Sequence, residues 1–281
     1  MSIKSLLTVT TVPARAATAI TAAARIATAT DAHLDVLALG VDRTQVGYAY
    51  VGSGAVLLQV AMERAEEEAR ASEKAVTEAI AAQDPALRSA VETAVTQIGA
   101  LTDFVANRAR YADLVVLSKP YGADMGPEAE AVIEAALFEG MAPVLMVPDA
   151  GLKATMPRRI VLAWNQSREA LVAARRALPF LKRAERVVIT VIDPPTHGPE
   201  RSDPGGLLCQ MLVRHGVKAE VQVLARTLPR ISDVLARHCR DIDADMLVMG
   251  AYGHSRFREA ILGGATRNML EHAEIPVFLA H

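Results

Sequence analysis

Two periods of apolar residues alternate along this chain. Short β-branched runs, such as residues 186–192 and 246–249, are typical of strands buried on both faces. Between them lie longer stretches such as residues 168–182, where apolar side chains recur at helical spacing. Strands that alternate with helices favour a parallel sheet with helices on both faces. The pattern therefore predicts an α/β fold of the doubly wound, Rossmann-like kind.

The same plan of elements occurs twice. Residues 110–117 parallel residues 242–249, and residues 142–147 parallel residues 275–280. The repeat is much longer than the ~20–50 residues of solenoid units, so it indicates a duplicated domain. We predict domains at residues 1–148 and 157–281. Predicted strands cover residues 3–10, 33–40, 87–95, 114–118, 143–147, 159–164, 186–192, 217–224, 246–249 and 276–280. Predicted helices cover residues 14–30, 56–81, 98–110, 128–139, 168–182, 207–215, 229–240 and 266–272.

Composition narrows the function classes. Hydrophobic residues make up 51% of the 281 positions and the net charge is -2, which argues for a packed protein and against a nucleic-acid surface. Aromatic residues make up only 4%, too few for a base-stacking platform. No apolar run reaches the ~18 residues of a membrane span. Two cysteines in a chain of this length favour a reducing compartment, so we expect a cytoplasmic protein.

A glycine-rich segment near the C-terminus carries the clearest candidate chemistry. Gly250, Gly253 and Gly263 follow the predicted strand at residues 246–249, and Gly264, Ala265 and Thr266 lead into the last predicted helix. Glycine allows a ligand to approach the backbone closely, and a helix start presents unpaired N–H groups and a positive dipole end. The segment is therefore a candidate phosphate cradle. The competing interpretation is a connection whose glycines serve packing alone.

The spacing of these glycines resembles the universal stress protein signature, glycine–x2–glycine–x9–glycine followed by a hydroxyl residue. The first turn of the second copy, residues 161–167, and residues 275–277 before the last strand support the resemblance, which covers the whole chain as a tandem two-domain member. It implies a five-stranded sheet in the order 3-2-1-4-5 in each domain. It also implies ATP, or ADP or AMP, bound with or without Mg²⁺. The nucleotide-binding residues it implies are Ala163, Asn165, Ile192, Gly250, Gly253, His254, Gly263, Gly264, Ala265 and Thr266.

The chain departs from that signature in two ways. Gly264 replaces the Ser or Thr expected after the third glycine, and Asn165 stands where many members have Asp, which removes a negative charge. The first copy lacks the glycine pattern altogether over residues 118–127. We therefore expect one nucleotide, bound in the second domain. A different ligand of the first domain stays open.

The resemblance also implies that the two fifth strands, residues 143–147 and 276–280, pair in an intrachain pseudo-dimer. Such pairing would cover two apolar edges, and further association into a homodimer stays open. Ser167 is expected to cap a helix. Arg256, Arg258 and Arg267 could contact phosphate or form ordinary surface ion pairs.

We identify no catalytic residue, no Walker A sequence and no metal-ligand spacing in the sequence. The expected function is a nucleotide-binding regulator of a stress response with an unknown protein partner. Two alternatives remain: an interaction module that binds no nucleotide, and a slow ATPase.

Overall fold

A computed structural model of the chain describes residues 2–44, 54–122, 125–194, 202–251 and 264–281. Its contacts divide it into two compact units, Ile3–Ala142 and Pro143–His281. Both units alternate strands with helices, as the apolar periodicity predicts. Among the described residues, no helix combines the length and the hydrophobicity needed to cross a membrane.

The described residues of the N-terminal unit form four parallel strands. Its strands are β1 (Ser5–Thr10), β2 (His33–Asp42), β3 (Arg88–Gln97) and β4 (Leu114–Ser118). Its helices are α1 (Ala16–Thr30), α2 (Gly54–Ala81), α3 (Leu101–Ala109) and α4 (Pro127–Glu134), with 3-10 turns at Pro13–Arg15 and Ile98–Ala100. The strands lie in the order β3-β2-β1-β4, the first four positions of the expected order.

The C-terminal unit contains the complete expected sheet. Its strands are β5 (Val144–Val147), β6 (Arg159–Ala163), β7 (Arg186–Ile192), β8 (Ala219–Leu224), β9 (Met246–Gly250) and β10 (Val277–Ala280). Its helices are α5 (Arg168–Arg176), α6 (Leu178–Leu181), α7 (Gly206–Arg214), α8 (Ile231–Asp241) and α9 (Ala265–His272). The parallel strands β8-β7-β6-β9-β10 stand in the order 3-2-1-4-5, which confirms the expected topology.

Strand β5 groups with the C-terminal unit. It pairs antiparallel with β10, with Met146 opposite Val277 and Val144 opposite Leu279. This is the pairing of fifth strands that the resemblance implied. All four residues of β5 and all four of β10 are buried, so the pairing satisfies backbone groups that would otherwise form an exposed apolar edge.

Each unit has an aspartate that accepts two hydrogen bonds from backbone N–H groups at the start of a neighbouring strand. Asp113, just before β4, accepts hydrogen bonds at Oδ2 from the backbone N–H groups of Lys4 (2.8 Å) and Ser5 (3.1 Å). Asp245, just before β9, accepts at Oδ2 from the N–H groups of Arg158 (2.8 Å) and Arg159 (2.9 Å). Asp113 thus joins the start of β1 to the start of β4, and Asp245 joins the start of β6 to the start of β9. The matching contacts support the duplication inferred from residues 110–117 and 242–249.

Several predicted helices differ from the observed ones, most clearly those at residues 168–182 and 128–139. The helix predicted over residues 168–182 is two helices separated at Ala177, because Pro179 has no N–H to donate to the carbonyl of Arg175. The helix predicted over residues 128–139 begins at Pro127 and changes to π-helix at Ala135–Glu139. In the C-terminal core, the rings of Phe180 and Phe278 meet edge to face with centroids 6.0 Å apart.

Candidate functional site

Three of the expected site residues end neighbouring parallel strands. Ala163 ends β6, Ile192 ends β7 and Gly250 ends β9. Strand β6 pairs with both other strands, so these carboxyl ends lie along one edge of the sheet. At this edge the strand order reverses, since β6 connects to β7 on one side and has β9 on the other. Ligands of open α/β sheets bind at such a switch point.

Gly250 lies against the first turn of α5. A Cβ built on Gly250 would be 2.5 Å from the backbone nitrogen of Ala170 and 2.7 Å from the carbonyl carbon of Glu169, distances at which no side chain fits. Immediately after it, the N–H of Ala251 donates to the carbonyl of Ala280 across 2.9 Å. The glycine therefore serves packing directly, because it lets the end of β9 approach the start of α5.

The turn after β6 is held by its own polar side chains. Asn165 is exposed, and its Oδ1 accepts from the N–H of Ser167 at 3.1 Å. Ser167 caps α5, with its Oγ accepting from the N–H of Ala170 at 3.1 Å, which confirms the predicted N-cap. Glu169 lies in the first turn, where a negative charge suits the helix dipole. The N-terminus of α5 is therefore capped by a side chain of the protein itself.

Trp164 is a residue of this edge to which the sequence reasoning gave no role. Its backbone N–H donates to the carbonyl of Thr190 across 2.9 Å, which extends the β6–β7 pairing by one residue and delays the turn to Asn165. The residue is 8% exposed. The sequence could have drawn attention to this residue, because it is the one tryptophan of the chain and ends the strand predicted at residues 159–164, just before the polar turn.

The N-terminus of α9 lies at the same edge as these strand ends. Helix α9 ends at His272 and β10 begins at Val277, so the helix runs back along the sheet and its first residue faces the carboxyl ends. Gly264 is the N-cap, and its carbonyl accepts the first intrahelical hydrogen bond, from Asn268 at 3.1 Å. Ala265 is half-buried at the first helical position, and Thr266 is buried at the second. A glycine N-cap contributes no side-chain acceptor, in contrast to Ser167.

The other expected site residues lie outside the described part of the chain. They are Gly253, His254 and Gly263, together with Arg256 and Arg258. Of the flanking arginines, Arg267 is described and lies exposed on α9. In the ranges that the structure describes, no three His, Cys, Asp or Glu side chains lie together as metal ligands.

Comparison with known proteins gives a family match for residues 156–281. These residues match the model of the universal stress protein family. A universal stress protein of Synechocystis sp. is 27% identical over 124 residues, which cover 42% of this chain and 41% of that protein. The match thus spans about two fifths of the length of that relative.

Two solved structures share the fold over the whole chain. The first, a universal stress protein from Archaeoglobus fulgidus, has a TM-score of 0.67 at 15% identity, with 99% of this chain and 96% of that chain covered. The second, from Pseudomonas aeruginosa and described as a universal stress protein, has a TM-score of 0.55 at 16% identity, with coverage of 99% and 93%. At these identities the likeness establishes the fold alone.

Proposed function

We propose that the chain is a universal stress protein, as the family match over residues 156–281 suggests, and that its C-terminal half binds an adenine nucleotide at the carboxyl edge of β6 and β9. The nucleotide phosphates meet the backbone N–H groups at the start of α9, at Ala265 and Thr266. Asn165 offers amide donors to a ribose hydroxyl, as an uncharged substitute for Asp. Ile192 borders the position of the base.

The observation that carries this proposal is the contrast between the two helix starts at one edge. The start of α5 is capped by the hydroxyl of Ser167. The N-cap of α9 is Gly264, which has no side chain and makes no side-chain cap hydrogen bond. The dipole of a helix favours an anion at its N-terminus. A phosphate is the ligand whose charge and oxygen atoms suit this position.

Binding of this kind regulates through conformation. A nucleotide that binds one conformation of the protein better than another shifts the protein toward that state, and this state presents a different surface to a protein partner. The two free cysteines, Cys209 and Cys239, fit a reducing compartment such as the cytoplasm. The proposed role is a cytoplasmic regulator in a stress response.

Thermal unfolding of the full chain tests the proposal. ATP, ADP and AMP are each added at millimolar concentration, with and without Mg²⁺. A ligand present at about 100 times its Kd adds about 2.7 kcal/mol to the free energy of unfolding, which raises Tm by several degrees. No shift with any of the three nucleotides contradicts the proposal and favours an interaction module without nucleotide. Release of phosphate from ATP that disappears in the Ala265→Pro variant would favour the slow ATPase.

A further inference from the structure

Helices α4 and α9 occupy matching places in the two units. Helix α4 follows β4 and α9 follows β9, and each begins after a glycine N-cap with extended ψ, at Gly126 (ψ 174°) and Gly264 (ψ 160°). The second helical residue is buried in both, but it is Glu128 in α4 and Thr266 in α9. The N-terminal unit therefore carries a carboxylate where the C-terminal unit carries a hydroxyl.

The carboxylate of Glu128 folds back over the start of its own helix. A Cβ built on Gly126 would lie 2.3 Å from Oε2 and 2.5 Å from Oε1 of Glu128, so only glycine leaves room for the carboxylate there. The side chain is 2% exposed. A negative group is thus held against the positive end of the α4 dipole, the position that an anionic ligand would take.

Arg43 supplies the opposite charge. It follows β2, and its Nη2 donates to Oε1 of Glu128 at 2.6 Å, while its Nη1 donates to both carboxylate oxygens of Glu68 at 3.0 and 2.8 Å. Burial raises the pKa of Glu128, but the hydrogen bonds from Arg43 and from its own backbone N–H outweigh burial, so that the pKa is lowered. The carboxylate is therefore charged at neutral pH, as a phosphate would be.

The hydrogen bonds of the Glu128 carboxylate are incomplete, because only one of its two oxygens has a donor. Oε2 is buried and has no hydrogen-bond partner. A buried carboxylate oxygen without a donor is destabilising. A cleft at the carboxyl ends of β1 and β4 is lined among others by Thr10, Ser118 and Ala129, the residue that follows Glu128 in the chain.

We propose that the carboxylate of Glu128 occupies the phosphate position of the N-terminal unit and thereby closes that unit to nucleoside phosphates and other phosphate anions. In the N-terminal unit this carboxylate acts together with the missing glycine pattern of residues 118–127, and Thr266 holds the corresponding position in the C-terminal unit. This inference rests on the proposed function for the identity of the ligand. The claim that a carboxylate takes the place of an external anion at the start of α4 depends only on the structure of the N-terminal unit.

A reciprocal exchange in the full chain tests the inference. The variants are Glu128→Thr, Thr266→Glu and the double exchange, and the number of ATP and of inorganic pyrophosphate molecules bound is measured by equilibrium dialysis. We expect one ATP per chain in the wild type, two in Glu128→Thr, none in Thr266→Glu and one in the double exchange. The new site is expected to be the weaker, since Pro127 lacks the N–H that Ala265 provides.

Three controls separate charge, volume and folding. Glu66→Gln removes an exposed carboxylate of α2 and should leave the stoichiometry unchanged. Thr266→Gln adds nearly the volume of Glu without its charge and should weaken ATP binding less than Thr266→Glu does. Each variant must show a cooperative thermal transition. If Glu128→Thr does not fold, Glu128→Ala replaces it, and the Thr266→Glu arm decides independently.

The outcomes distinguish this inference from the function on which it rests. A wild type that binds no ATP, together with a Glu128→Thr variant that gains a pyrophosphate site, overturns the proposed function and keeps the inference. A wild type that binds one ATP, with folded Glu128→Thr and Glu128→Ala variants that gain neither ligand, overturns the inference and keeps the function. Unchanged ATP binding in Thr266→Glu also overturns it.

Discussion

Gly250 at the end of β9 lies against Ala170 in the first turn of α5, so close that a Cβ on the glycine would be 2.5 Å from the backbone nitrogen of Ala170. Both partners are main chain, and neither a strand end nor a helix start can rotate away as a flexible side chain could. The first glycine of the signature is therefore required by packing, whatever the ligand.

Gly250→Ala is accordingly expected to destabilise the fold by about 1–3 kcal/mol, the usual range for overpacking a well-packed site. Urea unfolding at pH 7 measures the change. The matched control is Gly99→Ala, because a Cβ there meets nothing within 4 Å, and its effect should stay within about 0.5 kcal/mol. Equal stability of the two variants would show that β9 and α5 do not approach as closely as described.

The paired aspartates make a prediction about the duplication. Asp113→Ala and Asp245→Ala each leave two backbone N–H groups without their carboxylate acceptor, so we expect each to lower the free energy of unfolding by about 1–3 kcal/mol. Chemical denaturation of each variant provides the measurement. Asp35→Ala removes an exposed carboxylate of β2 and should have a much smaller effect. If only one of the two aspartates mattered, the halves would not be equivalent in this contact.

Glu128 gives the stability a specific pH dependence. Because its folded pKa is lowered, the charged group stabilises the fold at pH values above the unfolded pKa of about 4.3, and this contribution is lost as the pH falls through the folded pKa. The neutral Glu128→Gln variant should thus be less stable than the wild type by a constant amount from pH 7 to pH 5. Below about pH 4 the difference should shrink. A difference that persists unchanged in acid would mean that shape, rather than charge, holds Glu128 in place.

The two thiols should differ in reactivity. Burial raises the pKa of Cys239 to about 12, and it also raises the pKa of the half-buried Cys209. Since the thiolate is the reactive form, native protein at pH 8 should react slowly with a disulfide reagent at Cys209, and Cys239 should react only on unfolding. The Cys209→Ser variant isolates Cys239. Rapid labelling of that variant in native buffer would contradict the buried placement.

The sequence predicted the limits of an element well where a single spacing of apolar residues runs through the whole element. The buried strands Leu114–Ser118 and Arg186–Ile192 coincide with their predicted limits. The break at Ala177 was missed because apolar spacing continues through Pro179, and only the missing N–H interrupts the helix. The predicted start of α9 differs by one residue, since Ala265 already has helical geometry.

The candidate site was harder to predict because its contacts join distant positions. The glycine segment was recognisable from spacing, but the packing of Gly250 on Ala170 depends on how β9 and α5 meet in space. Arg43 and Glu128 are 85 positions apart, and no local pattern links them. An alignment of Gly126–Glu128 with Gly264–Thr266 would have revealed the exchange of Thr for Glu, though not its geometry.

The most direct measurement is isothermal titration of ATP into the full chain and into two variants of one residue. Ala265→Pro keeps a residue that suits the first helical position but removes its N–H, whereas Ala265→Gly keeps the N–H. The account predicts one ATP per chain, affinity lowered about 10- to 100-fold by Ala265→Pro, in line with a lost hydrogen bond to a charged group, and affinity nearly unchanged by Ala265→Gly. No binding to the wild type, or equal affinity in all three proteins, would contradict a nucleotide site at the start of α9.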